Sequence, residues 1–483
     1  MGKKKSVVLM VLLTILIVAM SVITLIPFPI SSTQNWNPTV LQYDLGTDLG
    51  GGYYVYYYPE GVKTETEFNT DGDNADDYVK NGSLYLSKDR KYKLVNNKTG
   101  AVDTTFQQQF AKATQTIADR FEARGYSDYR VAVVDDYALR IELPASDATV
   151  SETLSTYHYT GEVTFTKGTS SSATELTELQ EDGVEITDYI SGFTVANNYK
   201  WSYLKINLTQ AGKELMQGIK GELATADSAS SSATALYLQI GENKLTGIYQ
   251  DNITDNDIRV MFVESNAELV KTYEVLLNSA LHNSFDFNFD VGQVCTFEAV
   301  YGENVLTLLY IALGVSMLAI VVLAIVLMGG YGVTGAYASM TYLLVVATFL
   351  AFITGNAAFE ITLGTVLVFL VGFVLMNVLQ YHIYHAIKAE FNVGKTVESS
   401  VKGGYKKTLW GIVDIYVVAL IGALSLIIGA AGLSTLAWQA VICILTAAFC
   451  NLLWARAINY MLLSASKNKY KYFRFVREDD DDE

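Results

Sequence analysis

Apolar positions in this chain fall in long blocks separated by one long polar stretch. The first block runs from Val7 to Ile26, directly after Lys3-Lys4-Lys5. Five more lie near Val305–Met328, Ala336–Thr354, Ile361–Tyr384, Leu409–Ala431 and Leu436–Leu463. About 20 consecutive apolar residues cross the hydrocarbon of a bilayer, so the pattern predicts about six transmembrane helices. A signal peptide is the alternative for the first block, but no small-x-small cleavage pattern sits just after it, and it reads as a retained anchor. The expected fold class is an α-helical membrane bundle with a large extracytoplasmic domain between helices 1 and 2.

Within the polar stretch the periodicity changes. Phe106, Phe110, Ala113, Ile117 and Phe121 recur at spacings of three and four and predict a helix over about Phe106–Arg124, stopped by Gly125. The tyrosine- and valine-rich run to Tyr58 predicts a strand, as do Tyr129–Val134 and Ala138–Leu143. The latter two form a hairpin about Asp135-Asp136, ended by Pro144. Strand, helix and hairpin together make an α+β unit. Ser/Ala/Thr-rich stretches at Thr169–Thr174 and Ala224–Ala235 flank further strands at Val184–Val195 and Tyr203–Leu208, which marks a second lobe. Ala267, Val270, Tyr273, Leu276 and Leu277 line one face of a returning helix. The expected boundaries are 1–27 for the first membrane helix, 28–148 for one lobe, 149–258 for an inserted lobe and 259–303 for the return. Residues 304–466 then form the five-helix bundle and 467–483 a charged tail.

Charge sets the orientation. Lys and Arg resist translocation, and they cluster at the N-terminus, at Lys388, Lys395, Lys402, Lys406 and Lys407, and in the tail at Lys467, Lys469, Lys471, Arg474 and Arg477. With six spans all three clusters share one side, so both termini are expected in the cytoplasm and residues 28–303 outside a cell membrane. That external stretch holds 20 Lys and Arg against 40 Asp and Glu, in a chain of formal charge −16, which argues against nucleic acid as a partner. Of the cysteines, Cys295 alone is external, and Cys443 and Cys450 read as small apolar residues of the last helix. No zinc-ligand spacing, nucleophile–base pair or cofactor motif is present, so neither an enzyme nor a metal site is expected.

Several segments, in order, resemble one family. Leu45-Gly46-Thr47-Asp48-Leu49-Gly50-Gly51-Gly52 resembles the Gly-Leu-Asp-Leu-x-Gly-Gly segment of the protein translocase subunit SecD, of the RND superfamily. Arg120 to Gly125 resembles its Arg-x-x-x-x-Gly segment, and Leu139-Arg140-Ile141-Glu142-Leu143-Pro144 its Arg-Ile-x-Val-x-Leu-Pro strand. Asn207–Leu215 is similar to part of its head lobe. In the bundle, Gly394-Lys395-Thr396-Val397, Gly404-Tyr405-Lys406-Lys407, Ile412-Val413-Asp414 and Ala455-Arg456-Ala457 follow its fourth-to-fifth loop and its fifth and sixth helices. The resemblance implies base and head lobes, a SecF-like membrane partner, action on a polypeptide emerging from the SecYEG channel, and use of the proton gradient. An exporter of lipid or small molecules within the same superfamily is the alternative. Long RND pumps hold two such units in one chain, and a single unit favours a separate partner. The small residues Gly422, Ala423, Gly429 and Gly432 offer that partner a close-packing surface.

Asp414 is the sharpest candidate for chemistry. An acid in an apolar run is costly, so it is expected to face the bundle interior or a hydrated cavity, where such residues serve proton pathways. The bland alternative is that it reaches water or pairs with Lys406 or Lys407. The family's fourth-helix motif Asp-Ala-Asn-Val-Leu is matched by Leu375-Met376-Asn377-Val378-Leu379, with leucine where the acid should be. Neither Leu375 nor Asn377 titrates near neutral pH, so Asn377 is expected to hydrogen-bond across helices toward Asp414 instead. His382 and His385 share a helix face just beyond, as substitutes for the missing acid or as an interfacial pair. Arg456 reads as a snorkelling residue or, less simply, as a relay. Gly50–Gly52 reads as a tight turn and not as a phosphate cradle, since no Gly-Lys-Ser/Thr follows. The six acids of Glu478–Glu483 read as a solvated tail.

Overall fold

The computed structural model describes residues 3–29, 35–39, 43–82, 84–90, 92–95, 99, 103–134, 137–145, 149–169, 173–175, 185–198, 201–228, 233–241, 243–261, 267–285, 287–302, 304–354, 360–429, 433–466 and 468–475. The chain divides into two compact units, Met1–Gly51 with Glu298–Glu483, and Gly52–Phe297. The expected turn at Asp135-Asp136, Gly432 and the acidic tail lie outside the described residues.

The first unit is a membrane bundle. Six helices are long and apolar enough to cross a bilayer: α1 (Lys3–Leu25), α2 (Val305–Met328), α3 (Gly330–Thr354), α4 (Leu363–Asn392), α5 (Val397–Gly429) and α6 (Ser434–Ala465). A π-helical turn at Cys450–Trp454 interrupts α6. The 388–407 segment, expected as a loop, is a correction: α4 continues to Asn392 and α5 begins at Val397. Hydropathy registers only the lipid-facing part of a helix, whereas these charged extensions are held by packing. Ile387, Phe391, Val397, Val401 and Tyr405 are buried between them, and Glu390 pairs with Lys395 and, at 3.9 Å, with Lys407.

The second unit is α+β, and fifteen strands are numbered here from its described residues. They are β1 (Gly52–Pro59), β2 (Val62–Thr64), β3 (Tyr78–Asn81), β4 (Leu84–Ser87), β5 (Arg130–Val134), β6 (Ala138–Pro144), β7 (Val163–Gly168), β8 (Ala173–Glu175), β9 (Ile190–Asn198), β10 (Trp201–Leu208), β11 (Ala235–Ile240), β12 (Asn243–Ile248), β13 (Asp257–Val260), β14 (Phe289–Val291) and β15 (Cys295–Phe297). A five-stranded sheet runs β14-β1-β6-β5 with β15 also on β1; the others run β2-β4-β3, β8-β7-β11-β12 and β9-β10-β13. One continuous apolar cluster, including Val55, Ile117, Leu139, Ile206, Leu238 and Leu277, underlies these sheets.

The predicted helix forms as Thr104–Arg124. Asp103 caps it by accepting from the N–H groups of Thr105 (2.9 Å) and Phe106 (3.2 Å). Its five periodic apolar residues are all buried. It stops where Gly125 adopts φ +106, a conformation that costs a side-chain-bearing residue about 1 kcal/mol or more. The hairpin pairs Arg130 with Glu142 and Val134 with Ala138. The expected strand from 184 differs. Glu185 and Asp188 form a capping box on one helical turn, Ile186–Tyr189, and the strand begins only at Ile190.

Candidate functional site in the membrane bundle

A seam of uncharged polar side chains runs inside the bundle. Ser339 of α3 donates to Asn377 Oδ1 (3.2 Å), while Asn377 Nδ2 donates to the Phe373 carbonyl one turn back (2.9 Å). Asn451, in the π turn of α6, donates to the Tyr416 hydroxyl of α5 (3.2 Å) and the Met376 carbonyl of α4 (3.5 Å). The Tyr331 and Tyr405 hydroxyls lie 3.2 Å apart. Tyr472 reaches Thr334 (3.0 Å) and Asn459 Oδ1 (3.3 Å). The Arg456 guanidinium lies 5.5 Å from the Tyr405 ring centre and 6.0 Å from that of Tyr460, a cation–π arrangement that holds its charge within the bundle.

Gln380 is fully buried, and among the described residues no hydrogen-bond partner reaches either end of its amide. Its oxygen lies 2.9 Å from where a Cβ on Gly335 would be. Amides and phenols do not change charge near neutral pH, so this seam fixes helix register and does not itself pass from one protonation state to another.

Two expected placements are corrected. Asp414 is exposed, not turned inward. The cause is helical phase: Ile412 and Tyr416, one turn apart, are buried, and residue 414 lies about 200° round the helix from Ile412. Asp414 therefore shares an outward stripe with Trp410 (72% exposed), Val418 (68%) and Ile421 (62%). Asn377 does not turn toward it, since its amide is committed to Ser339 and Phe373.

The remaining candidates fall as follows. His382 and His385 are both exposed on α4, with His385 edge-on to Tyr381 at 4.4 Å. Gly404 lets α5 press on α4: a Cβ there would lie 2.5 Å from Ile387 Cγ1 and 2.8 Å from its backbone nitrogen. Gly422 has open space around it, whereas Ala423 packs inward with Ala440 and Val441. Asp48 accepts from the Leu363 N–H at the start of α4, and Leu49 is buried beside it. Gly51, at φ +68, ends the short helix Thr47–Gly50.

In the second unit, Gly52 pairs with Pro144 where β1 meets β6. Arg120 is fully buried and donates to the Tyr157 (2.8 Å) and Tyr159 (2.5 Å) carbonyls and to Ser279 Oγ (2.9 Å). Burial lowers its guanidinium pKa to about 10. Arg140 pairs with Glu142 at 2.8 Å and lies over Tyr54 and Tyr56. Sequence reasoning missed Gln380 and Asn451. Amides within apolar runs were the available signal, since a buried amide in a span is costly.

No protein-family model matches the chain, and no curated protein matches it. Solved structures do resemble it. SecDF in a super-membrane-facing form is similar with a TM-score of 0.52 and 14% identity, over 96% of this chain and 57% of that one. SecDF from Thermus thermophilus, described as a translocon-associated membrane protein, aligns with a TM-score of 0.43 and 14% identity, over 97% of this chain and 60% of that one. The chain thus has the SecDF fold while spanning less than two thirds of those proteins' length.

Proposed function

We propose that this chain, a multi-pass membrane protein with the SecDF fold, is a SecD-like accessory subunit of the Sec protein-export machinery. It acts on a polypeptide emerging on the outer side of a SecYEG channel. Residues 28–303 lie outside and both termini in the cytoplasm, with 28–148 and 259–303 as a base lobe and 149–258 as an inserted head lobe. The observation that carries this reading is a fold likeness over 96% of the chain, along which the SecD-like segments occur in family order.

A SecF-like membrane protein is the proposed partner. An exposed carboxylate at Asp414 in an apolar span is unfavourable against lipid. A partner helix presenting a donor or a cation would satisfy it, with Gly422 allowing close approach on the same helix. Proton coupling through this chain is at most partial, because the fourth helix has Leu375 where the family has an acid and offers only Asn377 nearby. His382, His385 and Arg456 are the other candidates for moving or positioning a proton.

Purification in mild detergent, with mass analysis of co-eluting chains, tests the assembly. The reading expects a second multi-span protein and channel subunits, and a lone chain in several detergents contradicts it. One observation favours the alternative of a lipid or small-molecule exporter. A cavity of about 420 Å³, lined by Tyr43, Leu49, Leu309, Met317, Leu350 and Phe369 among others, is almost wholly apolar. Accumulation of a lipid, and not of a secretory precursor, on loss of the chain would select that reading.

A further inference from the structure

The external unit contains a second kind of cavity, of about 480 Å³, within the size range of ligand sites. Its floor is the face of β1 that carries Tyr54, Tyr56 and Tyr58, the alternate face to buried Val55 and Tyr57. Its wall is the short helix Glu65–Asp71, whose Thr66 and Thr70 are exposed at the rim. Tyr56 stacks on Tyr58 with ring centres 6.2 Å apart and meets Tyr54 edge-on at 5.9 Å. The rings therefore form a fixed ladder.

The charges around this ladder are unbalanced. Glu67, Asp71 and Asp290 line the cavity against a single cation, Lys63. That cation is already claimed, because its ammonium lies 2.8 Å from both Asp71 and Asp73. Glu67 uses one oxygen in the capping box with Thr64. Its other oxygen, Oε1, lies 2.7 Å from where a Cβ on Gly292 would be, beside Tyr56. Asp290 uses Oδ2 for the Gly61 N–H at 3.0 Å. Both therefore carry negative charge into a cavity whose own ammonium is already paired with Asp71 and Asp73.

The same tyrosines already bind one guanidinium from within the chain. Arg140 lies 4.9 Å from the Tyr54 ring centre and 5.9 Å from that of Tyr56, with Glu142 as its carboxylate at 2.8 Å. Aromatic faces beside carboxylates are the combination that recognises ammonium and guanidinium groups. An excess of 20 acidic residues over 28–303 draws such groups in.

We infer that the cleft between the β1 tyrosine ladder and the helix Glu65–Asp71 binds lysine and arginine side chains of an extended polypeptide. This rests on the proposed export role and names a preference within it, for basic segments of the passing chain. A free polyamine shares the chemistry, so both sources enter the test.

Binding is measured on the full-length protein in detergent with three labelled unstructured peptides of equal length, rich in lysine, glutamate or serine, and with spermidine. The lysine peptide is expected to bind, weakening with salt, and the glutamate peptide not to. Glu67→Gln, which keeps the capping oxygen and removes the charge, and Thr66→Trp, which fills the rim, should each weaken the lysine peptide by about tenfold or more. Their unfolding temperatures should stay unchanged. Equal binding of all three peptides, unchanged binding in both variants, or binding of spermidine alone would overturn the inference.

Photo-crosslinking of a secreted chain in cells separates this inference from the export reading. A crosslinker at Thr66 should capture the chain. Capture only from exposed Trp201, on a different sheet, would overturn the cleft and leave the export role standing. Capture from neither would overturn both.

Discussion

The carboxylate of Asp48 accepts a hydrogen bond of 2.7 Å from the backbone N–H of Leu363, the first residue of α4. Two backbone bonds run alongside, from Gly46 N–H to the Ile361 carbonyl (3.0 Å) and from Ile361 N–H to the Asp44 carbonyl (2.7 Å). The glycine-rich segment after the first span is thus a clamp on the start of the fourth. An anion at a helix N-terminus satisfies an orphan donor and complements the helix dipole.

Removing that anion should loosen the bundle. Asp48→Ala is expected to cost about 1–2 kcal/mol and Asp48→Asn less, since the amide oxygen still accepts. Thermal unfolding of the detergent-purified protein checks the order: equal losses would show that the charge alone matters, and no loss in either variant would contradict the clamp.

Arg120 should be irreplaceable for the α+β unit. Its guanidinium satisfies the buried Tyr157 carbonyl, the part-buried Tyr159 carbonyl and a serine, so Arg120→Met leaves these acceptors unpaired at a cost of about 3 kcal/mol. Arg120→Lys, with a shorter reach and no fork, should recover only part. Protease resistance of the α+β unit in intact protein reads this out.

His158, packed on Tyr57 and Tyr159, makes stability depend on pH. Burial pushes its imidazole down to about 4 from 6.5. Between those values the unfolded chain binds a proton that the folded one does not, so stability is full above about pH 6.5 and falls as pH drops toward 4. The loss amounts to about 2–3 kcal/mol at the acid end. His158→Phe should flatten the unfolding temperature between pH 7 and 5, and an unchanged slope would show that the ring does not titrate with folding.

The close approach of α4 and α5 rests on Gly404. A methyl there would collide with the Ile387 backbone as well as its side chain, which cannot swing away. Gly404→Ala is expected to destabilise by about 1–3 kcal/mol, and Gly404→Leu to prevent stable expression. Gly422→Ala, with open space around it, should be silent in the isolated chain.

Elements with strong periodicity were legible in advance. The helix of Phe106 to Phe121, its glycine stop, the Arg130–Pro144 hairpin and the six spans follow from spacing and length alone. The charged extensions of α4 and α5 were not, because burial of Ile387, Phe391 and Val401 between them is a tertiary effect that hydropathy averages away. Asp414 was legible as an unusual acid but not its direction, which depends on which neighbours cover Ile412 and Tyr416. Gln380 and Asn451 were hidden because an amide in an apolar run carries no charge to draw attention. The tyrosine cleft joins β1 to residues more than 200 positions away at Asp290 and Cys295, a pairing that no local pattern contains.

The export role is tested most directly by pulse-labelling a secreted reporter in cells depleted of this chain and following conversion of precursor to mature protein. The account predicts that precursor persists, that the wild-type chain restores conversion, and that Asp414→Asn restores it only in part while the assembled complex is retained. Conversion at the normal rate in depleted cells would contradict it.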